Sequence, residues 1–251
     1  MNRKLIKKEA KDFVRQNLKY SISLWSLTIV LSYISGTIGY KIDAYIDGDA
    51  PLTLNILSLL VAIAVFITRS SANYVTLDNL RFGRPTGKAF QQQSEILSSQ
   101  YFWPNVGISL IVGAYMIFWG ILFALCVLVL SFISSPNIPN WLSVSLIVIF
   151  AIGGVILYTS KVISYIQATN VYKDAIDNGI KLSWRQAIKR SQVLMYGRKL
   201  DYVIFNLSFV LWGLLVLVTL GLASFYVLPY MQTANQNYYI KLREEKLTAG
   251  L

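Results

Sequence analysis

The sequence has no histidine, a single cysteine and only 14% charged residues. A soluble domain usually carries about 25%. Without histidine the chain lacks the most frequent general base and metal ligand, and no Ser/His or Cys/His nucleophilic pair can form. A metal centre needs clustered histidine, cysteine or carboxylate. The acids here are scattered, so neither metal nor cofactor is expected. Cys126 stands alone in an apolar run, which rules out an internal disulfide and reads as a small packing residue. No phosphate-cradling glycine loop is present. Asp174 and Asp177 are spaced to share a helix face, but at the start of a polar segment they read as capping or solvated groups. No catalytic residue is assigned, and the chain reads as non-enzymatic.

Charge is also absent over long stretches: Tyr20–Tyr40, Ala50–Thr68, Tyr101–Ser160 and Tyr202–Ile240 contain no Asp, Glu, Lys or Arg. Crossing a bilayer takes about 20 apolar residues in a helix. The fold expected is therefore all-α, a polytopic transmembrane helix bundle of about six spans forming a single integral membrane domain over residues 1–251. Four spans are plain, at about 21–40, 51–69, 102–134 and 141–162. The stretch from 202 onward reads either as one long helix, giving five spans and an external C-terminus, or as a hairpin. The hairpin would turn at Thr219–Gly221, with spans of about 202–219 and 222–240. The basic N-terminus precedes an apolar run without a small-x-small cleavage site, so it reads as a retained first span. The expected hydrocarbon depths hold no ionisable group, which disfavours a proton-driven pump. Asn55, Asn206 and Ser208 suit hydrogen bonds between helices, while Ser32, Gly36 and Gly153-Gly154 suit close helix contacts.

Two span exits resemble one another. "SYIQATNVYKDAIDN" from Ser164 and "PYMQTANQNYYIKLR" from Pro229 align without gaps, matching Tyr165 with Tyr230, Gln167 with Gln232 and Asn170 with Asn235. A fainter copy, "SSANYVTLDN", starts at Ser70, and Asp78-Asn79 recurs as Asp177-Asn178. The pattern is amphipathic segment, span, turn, span, three times over. Chance similarity among low-complexity membrane segments is the competing explanation.

Charge then sets the sidedness. Segments 1–19, 69–100, 161–201 and 241–251 hold 7, 4, 8 and 3 basic residues, leaving only Lys41 of the 23 for the other face. Lys41 lies beside Asp43, Asp47 and Asp49, and the remaining loop on that face is the uncharged "SSPNIPN". The positive-inside rule puts both termini in the cytoplasm.

Amphipathic segments are expected at about 3–19, 86–100 and 183–197. In the last, Trp184, Ala187, Ile188, Ser191, Leu194 and Met195 share one helix face, with Arg185, Lys189 and Arg190 elsewhere. Ser183 and Gln186 fit a capping box. The first sets Ile6, Ala10, Phe13 and Val14 against Lys7, Lys8, Lys11 and Arg15, and the middle one aligns Phe90, Gln93 and Leu97. Such basic faces suit the lipid bilayer surface, where anionic lipid contributes about 1 kcal/mol per nearby cation. They serve equally as topology determinants and interfacial braces. Nucleic acid is not an expected partner, because the cations lie where membrane orientation requires them.

The C-terminal third, "SQVLMYGRKLDYVIFNLSFVLWGLLVLVTLGL" followed by "PYMQTANQNYY", resembles the bacterial integral membrane proteins of domain of unknown function 975. The matching positions include Ser191, Gly197, Lys199, Phe205, Trp212, Thr219, Gly221, Pro229-Tyr230 and Tyr238-Tyr239; the family commonly closes with Phe-Tyr, from which Tyr238 departs. These proteins look distantly like the membrane domain accompanying some glycerophosphodiester phosphodiesterases. The resemblance implies a multi-pass protein of the bacterial cytoplasmic membrane and implies no reaction. The function expected is binding or handling of a lipid or amphipathic molecule at the inner leaflet. Its expected contacts are Trp184, Arg185, Lys189, Arg190, Arg198, Lys199, Trp212, Tyr230 and Tyr238. The alternative is a membrane scaffold or accessory subunit, working with a membrane protein partner such as an exporter or in tolerance to a membrane-active peptide.

Overall fold

The computed structural model describes residues 1–45, 50–98, 100–133 and 140–248. Asp47, Asp49 and most of the "SSPNIPN" turn lie outside the described residues. Among those described the chain is all-α: α1 (Arg3–Gln16), α2 (Leu18–Asp43), α3 (Leu52–Phe82), α4 (Ala89–Ser98), α5 (Phe102–Ile133), α6 (Asn140–Tyr165), α7 (Ala168–Asp177), α8 (Trp184–Leu194), α9 (Lys199–Leu207), α10 (Val210–Val218) and α11 (Ser224–Thr248). Among the described residues, five stretches are long and apolar enough to cross a membrane: Leu18–Asp43, Leu52–Phe82, Phe102–Leu128, Val148–Asp177 and Lys199–Val218. The protein is a polytopic helical bundle.

By its internal contacts the chain divides into two compact units. The first comprises Met1–Phe102 with Phe205–Leu251, and the second Trp103–Ile204. Within the first, α2 and α3 pair as an antiparallel hairpin and α11 packs against both. Leu24, Trp25, Ile29, Ala72, Val75 and Ala89 form its core, with Phe225 and Leu228 of α11 against them. Within the second, Ile108, Tyr165, Ala168, Ala187 and Ile188 join α5, α6, α7 and α8.

α4 packs on α2 and α3, the hairpin before it; α8 packs on α6 and α7; α1 packs on α11, the last limb of the chain. Two of the junctions share a device: α3 ends at Gly83 with φ +69°, and Gly179 follows α7 with φ +68°. A left-handed glycine of this kind lets the last helical carbonyls find donors while the chain turns away.

The expected faces hold in two of the three short helices. Ile6, Ala10 and Val14 of α1 are buried, as are Ala187, Ile188 and Ser191 of α8. In α4 Gln93 points inward as expected, but Phe90 is 73% exposed and Ala89 is buried in its place. Ala89 lets α4 approach α2 closely, and Gln93 Nε2 donates to the Leu24 carbonyl at 2.9 Å.

Three packing expectations are corrected. Cys126 is exposed; it lies on α5, whose apolar stretch leaves its flank uncovered. Gly36 has open space where a side chain would go, whereas a Cβ at Gly154 would lie 2.1 Å from the Phe123 ring. Asn55 bonds the carbonyls of Ala50 and Pro51 beside its own helix start instead of bridging helices.

The final stretch folds as a hairpin. α10 stops at a turn in which Leu220 and Gly221 have φ +50° and +91°, and α11 runs back beside α10. Trp212 and Tyr230, equally spaced from Gly221, meet with ring centroids 5.3 Å apart.

Candidate functional site

The expected contact residues are divided between the two units. In the second unit, α8 begins with the predicted capping box: Ser183 Oγ accepts from the Gln186 amide at 3.3 Å, and Gln186 Oε1 from the Ser183 amide at 2.9 Å. This fixes the helix phase. Trp184 lays its six-membered ring against Gly107 of α5, where a Cβ would lie 2.5 Å from the ring. Buried Ser191 donates to the Ser164 carbonyl at 2.8 Å. With that face docked, Arg185, Lys189 and Arg190 are exposed on the other. Lys199 is committed elsewhere, donating to Ser160 Oγ at 2.9 Å, and Arg198 is half-buried. Lys161, absent from the expected set, sits 4.6 Å over the Trp119 ring. Asp177 pairs with the buried Lys173 at 3.0 Å, so it is part of an ion pair and not of a carboxylate dyad.

In the first unit, Trp212, Tyr230 and Tyr238 belong to one ladder of rings. Tyr238 meets Phe205 at a tilt (4.9 Å), and edge-to-face contacts then link Phe205 to Phe209 (5.4 Å), Phe209 to Tyr230 (5.5 Å), and Tyr230 to Trp212. Tyr238 is fully buried and Tyr230 nearly so. These rings hold α9, α10 and α11 together, and only Trp212 retains appreciable exposure. Tyrosines at a span exit were read as interfacial rings, but α1 and α3 cover this one.

The same unit contains what the sequence could not show. A cavity of about 480 Å³ opens between α1, the end of α3 and α11. Phe13, Leu80, Ile240 and Leu247 supply apolar wall, while Glu9, Arg81, Lys241, Arg243 and Glu244 supply charge of both signs. Asn237 secures one side, donating from Nδ2 to the Ile6 carbonyl at 3.1 Å and to Glu9 Oε2 at 2.9 Å. Lys241 lies 4.0 Å from Glu9 and 3.6 Å from Glu244. The volume is within the usual range of about 300–1,000 Å³ for small-molecule sites. An apolar wall beside paired charges fits a molecule with an apolar body and a polar end. Nearby, Tyr20 donates to Gln92 Oε1, Asn79 Nδ2 donates to the Tyr20 hydroxyl at 2.7 Å, and Gln92 reaches Asn79 at 3.4 Å. This network joins the start of α2, the end of α3 and α4. Among the described residues no group of three His, Cys, Asp or Glu could hold a metal ion.

The family described as Protein of unknown function (DUF975) matches residues 1–246. The chain belongs to this family. No curated protein and no solved structure matches it. The family match agrees with the resemblance carried by the C-terminal motifs; the more distant likeness to glycerophosphodiester phosphodiesterase membrane domains is not among the matches. Membership in DUF975 assigns no reaction.

Proposed function

We propose that this DUF975 protein is a non-enzymatic polytopic protein of the bacterial cytoplasmic membrane that binds an amphipathic molecule, such as a lipid, at the inner leaflet. The observation that carries the reading is the cavity between α1, α3 and α11, with apolar Phe13, Leu80 and Leu247 beside charged Arg81, Lys241 and Glu244. Both termini face the cytoplasm in this account, because 22 of the 23 basic residues fall in segments of one side. The exposed Arg185, Lys189 and Arg190 then lie at the anionic headgroups. The test is to extract wild-type protein and the Arg81→Gln/Arg243→Gln variant in native nanodiscs and quantify the lipid retained after exchange into detergent. The reading expects about a tenfold loss of one retained species, the scale of a lost charge-assisted contact. Identical retained lipid in both proteins overturns it. A co-purifying polypeptide in place of lipid favours the accessory-subunit reading instead.

A further inference from the structure

We propose that α10, the turn at Leu220–Gly221 and the first turns of α11 form a re-entrant hairpin, which enters the bilayer from one face, ends inside the hydrocarbon and presents its leucine tip to acyl chains. This goes beyond the binding role and does not depend on it. By length and composition Lys199–Val218 could cross a membrane, but two depth markers within the first unit and one comparison of helix lengths place the turn short of the far side.

The first marker is the base of the hairpin. Lys7 Nζ donates to Ser208 Oγ at 3.0 Å and lies 5.9 Å over the Phe209 ring, at the break between α9 and α10. On the returning limb, Asn237 bonds Glu9 and the Ile6 carbonyl. Both limbs are thus tied to α1, which carries Arg3, Lys4, Lys7, Lys8, Lys11 and Arg15 and belongs at the headgroups. From Ser208 to Leu220 a helix rises only about 18 Å, and from Asn237 back to Gly221 about 24 Å, at 1.5 Å per residue. The hydrocarbon core is about 30 Å thick.

The second marker is α2. Tyr33 Oη lies 3.1 Å from Ser224 Oγ, and a Cβ at Gly221 would fall 1.8 Å from the same hydroxyl. The tip is therefore level with Tyr33. Along α2, Tyr33 is about 20 Å beyond Tyr20 and about 10 Å before Tyr40, the two ends of its uncharged stretch. The return limb is also short. Ser224 to Tyr230 spans about 9 Å, whereas α6 runs about 38 Å from Asn140 to the matching Tyr165.

The tip has the chemistry of hydrocarbon. Val218, Leu220 and Leu222 are 82%, 91% and 76% exposed. Every backbone N–H from Thr219 to Val227 has an acceptor within the hairpin, including Gly221 to the Val216 carbonyl at 2.7 Å and Ala223 to Thr219 Oγ1 at 3.0 Å. The Thr219 hydroxyl itself donates to the Leu215 carbonyl at 2.9 Å. A turn reaching water has no need of such closure, while one in lipid requires it.

The test places a nitroxide at Leu220→Cys, and separately at Leu222→Cys, in a Cys126→Ser background reconstituted in lipid vesicles. Collision with oxygen and with a nickel chelate is measured by power saturation. Ile63→Cys, on the exposed apolar flank of α3, is the hydrocarbon reference, and Tyr45→Cys, beyond the end of α2, is the far-side reference. The proposal expects an oxygen-to-nickel ratio at both tip sites close to that of Ile63→Cys and several-fold above that of Tyr45→Cys. A ratio like that of Tyr45→Cys puts the tip in water and overturns the proposal. Low collision with both reagents means that protein, such as a second copy of this chain, covers the tip, which also overturns it.

Discussion

Removing the Asn237 amide should loosen α1 from α11 and leave the rest of the first unit folded. Asn237 is 5% exposed, and its Nδ2 donates to the Ile6 carbonyl at 3.1 Å and to Glu9 Oε2 at 2.9 Å. A net hydrogen bond contributes about 1 kcal/mol, and one to a charged group about 1.5–3 kcal/mol. Glu9 is 40% exposed, so solvent screening places its share at the low end. Asn237→Ala should therefore cost about 2 kcal/mol, a shift of about 30-fold in the population with α1 undocked. Trypsin cuts a docked helix only when it opens, and with fast reclosing the rate follows that population. Cleavage at Lys7, Lys8 and Lys11 should accelerate about 30-fold in Asn237→Ala. Glu9→Gln keeps an acceptor for the amide and should change the rate less than about fivefold. Equal cleavage of wild type and Asn237→Ala would refute the argument that this amide holds the two helices together.

Other consequences follow from the same geometry. Gly107→Ala should unseat Trp184, because the new Cβ falls 2.5 Å from its ring; thermal unfolding should shift down, and adding Trp184→Phe should recover most of the loss. Ser191→Ala removes the buried donor to the Ser164 carbonyl and should cost about 1 kcal/mol in a denaturation series. Replacing Arg185, Lys189 and Arg190 together by Gln should leave the unfolding midpoint unchanged, since all three are exposed. The same variant should retain less anionic lipid through purification, measured by lipid mass spectrometry; unchanged retention would deny α8 a headgroup role.

The short helices were easier to read than the long ones, for a physical reason. α1 and α8 meet protein on one side and a polar environment on the other, so their periodicity marks the buried face, and the Ser183–Gln186 box forms as spaced. α4 is less polarised, and one position of its face was misjudged: Ala89, too small to stand out, packs where Phe90 was expected, while Gln93 is buried as expected. In α5 the apolar residues surround the helix, so nothing in the pattern says that Gly107 meets Trp184 or that Cys126 is exposed. The stop at Thr219–Gly221 was legible from Gly221 and the apolar runs beside it. The burial of "PYMQTANQNYY" was not, because its polar residues find partners on α1 and α3 that are remote in sequence: Asn237 with Glu9, and Gln236 with Asn73 at 3.4 Å. The cavity was hidden for the same reason, since its walls come from three separate segments of chain.

The most direct test of the binding role is native mass spectrometry of the wild-type protein released from a patch of its own membrane. The account predicts a reproducible adduct of one amphiphile class, at one copy per chain, lost when Arg81 and Arg243 are replaced. A bare protein, or one bearing the same mixture of lipids as the surrounding patch, would contradict it.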